Sequence, residues 1–252
     1  MLEYSSMFLL PENYWEVKKT KKKGKGVFAK KDIEAGLVIG DYLGKIIKPA
    51  EEDIYDKDEK FYSMYYSNYA TVFPDLKKPG IHLLNHSCTP NCWMYTLKGH
   101  TLYFSLRRIF AGEELTISYL LSPLDKYCKP CKHLCKCNSL MCRDTMHLSE
   151  KKYVIWNKFH DAQEKATKKE RISSGKELTK LSSYPAVIPD EEVYDLFGSS
   201  AKPPEKLSNK KLPTLAEIRK MIRETGRTLQ FSALNVHIYG VSDELVISEV
   251  LS

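Results

Sequence analysis

Short apolar-rich runs with irregular connections occupy most of the first 120 positions, although residues 1–12 show no clear period. Tyr14-Trp15-Glu16-Val17, Val27-Phe28-Ala29, Leu37-Val38-Ile39, Tyr42-Leu43-Gly44-Lys45-Ile46-Ile47 and residues 102–106 and 115–119 read as strands. Asp32-Ile33-Glu34-Ala35-Gly36 supplies a turn between the second and third, residues 74–80 a loop, and residues 107–112 a turn back into the last. Residues 49–60 are acidic and predict a helix, and the tyrosines of residues 61–73 (Tyr62, Tyr65, Tyr66, Tyr69) predict a packed aromatic face.

The period changes at Glu150. Ile155, Phe159, Ala162 and Ala166 are spaced for one face of a helix, which Ser173-Ser174-Gly175 stops. Residues 176–213, with Pro185, Pro189, Pro203, Pro204 and Pro213, read as an irregular linking or wrapping segment. Thr214 with Glu217 forms a capping box ahead of Leu215, Ile218 and Ile222, Gly226 is placed to end that helix, and residues 236–250 suggest a hairpin. The pattern predicts a mainly β region followed by an α+β extension.

The chain of 252 residues is long enough to bury a full core. It has no run of the roughly 18–20 apolar residues a membrane span needs, and Met1-Leu2-Glu3-Tyr4 does not begin a signal peptide, so no membrane association is expected. Lys18, Lys19, Lys21, Lys22, Lys23 and Lys25 form a basic run, read first as a solvated loop and second as an attractor of an anionic partner such as nucleic acid. Gly24 and Gly26 within it suggest close backbone approach to another strand or to a ligand.

Seven cysteines is an odd number, and five of them fall between Cys128 and Cys142. Such clustering suits thiolate metal ligation in a reducing compartment better than a disulfide framework. Cys135-x-Cys137-x4-Cys142 brings three thiolates close together, which favours a four-coordinate structural zinc. For the fourth ligand Cys88 leads, with Cys92, Cys128, Cys131 and His133 as rivals. A local set of Cys128, Cys131, Cys135 and Cys137 fits the spacing equally well.

Three stretches carry the remaining signal. Asn85-His86-Ser87-Cys88-x-Pro90-Asn91 is followed by Gly112-Glu113-Glu114-Leu115-Thr116-x-x-Tyr119, then by the cysteine triplet and Arg143. With Gly24-Lys25-Gly26-Val27-Phe28-Ala29 and Asp41-Tyr42-Leu43-Gly44 ahead of them, they resemble the SET domain with its post-SET zinc segment, over roughly residues 13–148. The resemblance implies small curved β-sheets with the Asn-His-Ser segment threaded as a pseudoknot. It divides the chain into a SET domain at 13–120, a zinc segment at 121–149 and an extension at 150–252.

The resemblance also implies a protein lysine methyltransferase using S-adenosylmethionine. Gly24, Lys25, Gly26 and Phe28 would present backbone to the cofactor, and Asn85 and His86 would hold its two ends. Tyr119 would be the catalytic tyrosine, also beside the cofactor, and Tyr42 a wall of the lysine channel. Zinc would sit on Cys88, Cys135, Cys137 and Cys142, and residues 146–148 would cover the cofactor or the channel. The expected partner is a protein bearing a target lysine, a histone or another basic protein, in an intracellular setting: the nucleus or chromatin in a eukaryote, the cytoplasm otherwise.

Some positions depart from that pattern. His82-Leu83 stands where Arg-Phe is frequent, and Ile117 stands where a Phe or Tyr bears on methyl number, with Met94 or Tyr95 as substitutes. Cys128 and Cys131 are extra to it. The rival functions are a catalytically silent SET-like module that binds protein and a zinc-stabilised nucleic-acid binder using residues 18–25.

Overall fold

The computed structural model describes residues 9–55, 62–67, 69–126, 128–139, 142–167 and 174–185. The capping box at Thr214, the following helix and the hairpin at 236–250 lie outside them, as do Pro189, Pro203, Pro204 and Pro213. Among the described residues, eleven strands are arranged in three small sheets. Their ranges are β1 Trp15–Lys19, β2 Lys25–Ala29, β3 Val38–Asp41, β4 Gly44–Ile47, β5 Met64–Ser67, β6 Ala70–Phe73, β7 Asn85–His86, β8 Cys92–Leu97, β9 His100–Ser105, β10 Glu114–Ile117 and β11 Glu177–Leu178. The sheet orders are β1-β2-β10-β7, β11-β4-β6-β5 and β3-β9-β8.

Strand β9 shows how the sheets share a core. Leu102, Tyr103, Phe104 and Ser105 are all buried. Alternation sends Tyr103 into one apolar cluster with Val27, Ile39, Tyr42, Ile46 and Leu115. It sends Leu102 and Phe104 into a second cluster with Val38, Trp93 and Leu148. Leu102, Tyr103 and Phe104 are consecutive apolar residues because this strand is covered on both faces.

The second cluster is closed by helix α2, Glu150–Thr167. Tyr153, Ile155, Trp156 and Phe159 pack against it. Ile155 and Phe159 lie on the expected face, but Ala162 is exposed, so the stripe turns toward Tyr153 and Trp156 instead. Larger rings bury more apolar area than an alanine and set the helix's rotation. Beyond the helix, β11 adds to the edge of β4 and Tyr184 is buried in the same cluster, its hydroxyl donating to Asp41 Oδ2 at 2.9 Å.

Other expectations are refined. Residues 49–60 contain a 3-10 turn, Pro49–Glu51, and a four-residue helix, Glu52–Tyr55, with residues 56–61 outside the description. The tyrosine-rich stretch is a hairpin of β5 and β6 rather than one packed face: Tyr66 is buried, but Tyr69 is 83% exposed. The basic run is not a plain loop. Lys18 and Lys19 end β1, Lys25 opens β2, and the turn between them closes with Gly24 at φ +76.

The 85–91 segment is stitched to β10 at both ends, the threaded arrangement the resemblance implies. β7 runs parallel to β10, with Asn85 opposite Thr116 and His86 opposite Ile117. Six residues on, the Asn91 side chain stands in for a backbone: its Nδ2 donates to Glu114 O at 2.9 Å and its Oδ1 accepts from Thr116 N at 2.8 Å.

Candidate functional site

β10 is the spine of the site. β2 lies along one edge of it and β7 along the other, so Gly24–Phe28 and Asn85–His86 are brought within reach of each other across 60 positions of sequence. Asn85 Nδ2 donates to Lys25 O at 3.0 Å and to Glu114 Oε1 at 2.8 Å. The second oxygen of Glu114 pairs with Lys23, whose side chain is 18% exposed. Gly26 sits inside this knot, and a Cβ there would stand 2.8 Å from Asn85 Nδ2 and 2.7 Å from Glu114 Oε1. The second glycine of the motif is therefore closely packed by the ends of two side chains, and the first is favoured by its backbone angle.

Beside this knot a cleft of about 740 Å³ opens between β1, the β1–β2 turn and the loop before β7. That volume lies in the roughly 300–1,000 Å³ range of small-molecule sites. Gly24, Lys25, Lys18, Lys19, Tyr62, His82 and Leu83 line it. Of the residues expected at a cofactor, Gly24 and Lys25 face the cleft and Asn85 is bonded to its wall. Gly26 is buried behind it, and Phe28 is half-buried with the Lys18 ammonium 5.8 Å from its ring. His82 is in the lining, and burial holds its pKa below the usual value, so it does not bring the fixed charge of the more frequent arginine.

His86 faces the other way. Its ring is buried, and burial pushes its pKa down to about 4, so it is neutral at neutral pH. Nδ1 accepts the backbone N–H of Tyr119 at 3.1 Å. The ring proton therefore sits on Nε2, which lies 3.7 Å from Cys88 Sγ. The two rings of His86 and Tyr119 also meet edge-on at 5.4 Å. With both nitrogens used in this way, His86 has only its backbone to offer a cofactor.

Tyr119 is 38% exposed as a residue, but its hydroxyl points inward and donates to Leu84 O at 3.1 Å. Burial, with the Tyr62 hydroxyl nearby, pushes that phenol up to about 12. The group stays protonated across the working range and acts as a hydroxyl, never as a phenolate base. Tyr42 is buried and donates to the carbonyl of Tyr62, and its ring stands 6.1 Å from that of Tyr103. Burial raises the Tyr103 phenol well above its usual value, with Tyr42 and Tyr119 adding to the effect.

Tyr62 and Tyr103 thus belong with Tyr42 and Tyr119, and the sequence pattern gave neither a role. Tyr103 hides in an alternating strand where every second residue is expected to be core. Ile117 is buried in the cluster that holds Tyr103 and Tyr42. Met94 stands opposite Tyr103 in the β8–β9 pair and shares its face; Tyr95 stands opposite Leu102 and packs on Trp93 and Phe104 instead. Tyr95 is therefore no substitute for an aromatic residue at position 117.

The thiols fall into two groups. The ligand atoms of Cys88, Cys135, Cys137 and Cys142 all lie within 4.8 Å of one another. Cys88 and Cys135 Sγ are 3.6 Å apart, close to the roughly 3.8 Å between sulfurs around a tetrahedral zinc. A hydrogen bond from Cys88 holds the Cys137 thiol far down, at about 3, so the group keeps a thiolate as a cation site requires. The residues present fit a structural zinc, and that fit favours the long-range set over the local one. Cys92 is no ligand: it is fully buried in the core and bonded to Asn91 Oδ1 at 3.3 Å. Cys128, Cys131 and His133 gather instead with His147, a residue absent from the sequence-derived candidates.

Residues 24–120 match the SET domain family. Among curated proteins, the chain is 32% identical over 132 residues to the histone-lysine N-methyltransferase trithorax of Drosophila virilis, covering 48% of this chain and 3% of that protein. It is 32% identical over 132 residues to histone-lysine N-methyltransferase 2B of Homo sapiens, covering 48% and 5%. It is 36% identical over 111 residues to the H3 lysine-36 specific histone-lysine N-methyltransferase of Saccharomyces cerevisiae, covering 40% and 15%. The chain thus spans a small part of the length of these relatives.

Proposed function

We propose that this protein, whose residues 24–120 are a SET domain, is a protein-lysine N-methyltransferase that moves a methyl group from S-adenosylmethionine to the ε-amine of a lysine in a protein substrate. The observation that carries the reading is Tyr119: a protonated hydroxyl fixed by Leu84 O, on a backbone fixed by His86, among the buried rings of Tyr42 and Tyr103. The related histone methyltransferases support the same reaction class and support a histone as acceptor, which would place the protein on chromatin.

When bound, the cofactor supplies a methyl group on a positively charged sulfonium. The cleft's lysines and the exposed backbone at Gly24 suit its amino-acid end, and Asn85 donates its side-chain amide to Lys25 O in the wall. The rest of the task falls to the chain. A lysine amine has a free pKa of about 10.4 and must be neutral to react. Walls built from Tyr42, Tyr62, Tyr103 and Tyr119 disfavour the ammonium, so the proton leaves for solvent before transfer. The Tyr119 oxygen then has lone pairs free to accept an amine N–H and aim the nitrogen's own lone pair. Alignment at about 3 Å supplies most of the acceleration, and the tyrosine faces favour the positive charge as it passes across.

The domain reading that accompanies this activity is a SET domain at 13–120, a zinc segment at 121–149 that clamps Cys88 from below, and an extension at 150–252. The decisive experiment is methyl transfer from labelled cofactor to histones and other basic proteins, by wild type and Tyr119→Phe side by side. We expect lysine label that falls by about a hundredfold or more in the variant, the usual cost of a misplaced reacting group, with cofactor affinity unchanged by calorimetry. No label together with no cofactor binding would sink the enzyme reading in favour of a protein-binding module.

A further inference from the structure

The geometry points to a second structural zinc, held by Cys128, Cys131, His133 and His147. It is separate from the four-cysteine site, and Cys128 and Cys131 lie outside the pattern that the resemblance brings.

The four ligand atoms lie within 4.8 Å of one another. Cys128 Sγ is 3.3 Å from His133 Nδ1 and 3.5 Å from His147 Nε2. Cys131 Sγ is 3.9 Å and 3.5 Å from the same two atoms. A tetrahedral zinc with ordinary bond lengths holds sulfur and nitrogen about 3.6 Å apart, the middle of this spread. The imidazole rings stand at 85° with centroids 5.1 Å apart, so they meet edge to face without stacking.

His147 carries an independent mark of a ligand. Its Nδ1 lies 2.6 Å from Ser122 O, a carbonyl that can only accept, so the ring proton is on Nδ1. That leaves the lone pair of Nε2 aimed between the two thiols. An imidazole whose far nitrogen donates to a carbonyl is the usual arrangement at a bound metal, because it fixes the tautomer and the ring plane. The Cys-x2-Cys spacing supplies the other half of the site.

The fold also has a use for an ion here. Between β10 and α2, the described residues have only two isolated bridges, Leu121 with His147 and Leu134 with Thr145. Backbone pairing that sparse does not hold a segment of this length. The second ion would fasten residues 128–133 to His147, whose neighbour Leu148 is buried with Leu120 and donates its N–H to Leu121 O at 3.0 Å. Leu121 is two residues past Tyr119, so the ion would brace the exit of the catalytic strand. The first site braces its other flank through Cys88 and His86.

The test is zinc content of the full chain, purified under reducing conditions, by elemental analysis and by cobalt substitution. Wild type should hold two ions per chain. Cys128→Ser/Cys131→Ser should hold one and give the cobalt spectrum of four thiolates. Cys137→Ser/Cys142→Ser should also hold one, with the weaker thiolate charge-transfer bands of two sulfurs and two nitrogens. His133→Gln, which leaves all seven thiols in place, should lose one ion to a chelator that wild type resists, and this keeps the test sound if a double variant fails to fold. One ion in wild type, two in Cys128→Ser/Cys131→Ser, or a Cys128–Cys131 disulfide in the reduced preparation would each overturn the assignment.

Discussion

The backbone N–H of Tyr119 is held at 3.1 Å by Nδ1 of His86, and the opposite nitrogen of the same ring stands 3.7 Å from the thiol of Cys88, one of four clustered cysteines. A buried neutral imidazole thus spans from the tyrosine proposed for catalysis to the proposed metal ligand two residues along its own chain. The tyrosine's main-chain position is set by a side chain, and that side chain's ring plane is set in part by the Cys88 thiol.

His86→Ala should therefore lower kcat more than it raises KM, and should cost about 1–3 kcal/mol of stability for the buried N–H it orphans. His86→Asn keeps an acceptor near the place of Nδ1 and gives up the contact with Cys88. It should recover much of the lost kcat, while equal rates in the two variants would reduce His86 to a packing residue.

Chelation should loosen residues 121–148 first. Isolated bridges are few among that segment's described residues, and the proposed ions would fasten it, so metal loss would be local unfolding. Limited proteolysis of apo protein should cut there at least tenfold faster than in the zinc-loaded protein. An unchanged pattern after verified metal loss would remove the staple from the account.

Acid should weaken the fold partly through His82. Burial lowers its pKa from the model-peptide 6.5, with Asp75 opposing the shift weakly. As pH falls below 6.5 the unfolded chain takes up a proton that the folded chain refuses until its own lower pKa is reached. Stability is whole above about 6.5 and declines in that window. Denaturant midpoints at pH 7.5 and 5.0 should converge more in His82→Gln than in wild type; identical losses would exclude His82.

Tyr184→Phe should destabilise the protein by about 1–3 kcal/mol. Asp41 is buried, and its Oδ2 is shared by Tyr184 at 2.9 Å and His100 at 2.8 Å, while Oδ1 has no protein partner. Taking away one donor leaves a carboxylate with little else to turn to. The loss should appear in urea midpoints, and a change within error would mean that the Tyr184 hydroxyl adds nothing to holding Asp41.

The motifs were legible because each pairs residue type with a backbone task. Gly24 and Gly26 signalled close approach; Asn85 and Glu114 are what approaches Gly26, whereas Gly24 has open space around it and serves the turn through its positive φ. The spacing of Cys135, Cys137 and Cys142 announced a cation site before its fourth ligand was fixed. The β8–β9 hairpin was not legible, because its turn places Lys98 at φ +52 where asparagine or aspartate gives the usual signal. β7 is two residues long, too short for any period, and its pairing with β10 is a tertiary fact. Tyr184 and His147 were invisible for another reason: each acts on a residue far away in sequence, and neither sits in a pattern of its own.

Helix α2 and the strand after it lie beyond the stretch that matches the SET domain, yet Tyr153, Ile155, Trp156 and Phe159 roof the cluster built on Trp93 and Phe104. Cutting the chain at the edge of the familiar pattern would uncover an oily hollow rather than trim an accessory, and the shortened protein would stick to its own copies. The folded unit of this chain is longer than the stretch that matches the family.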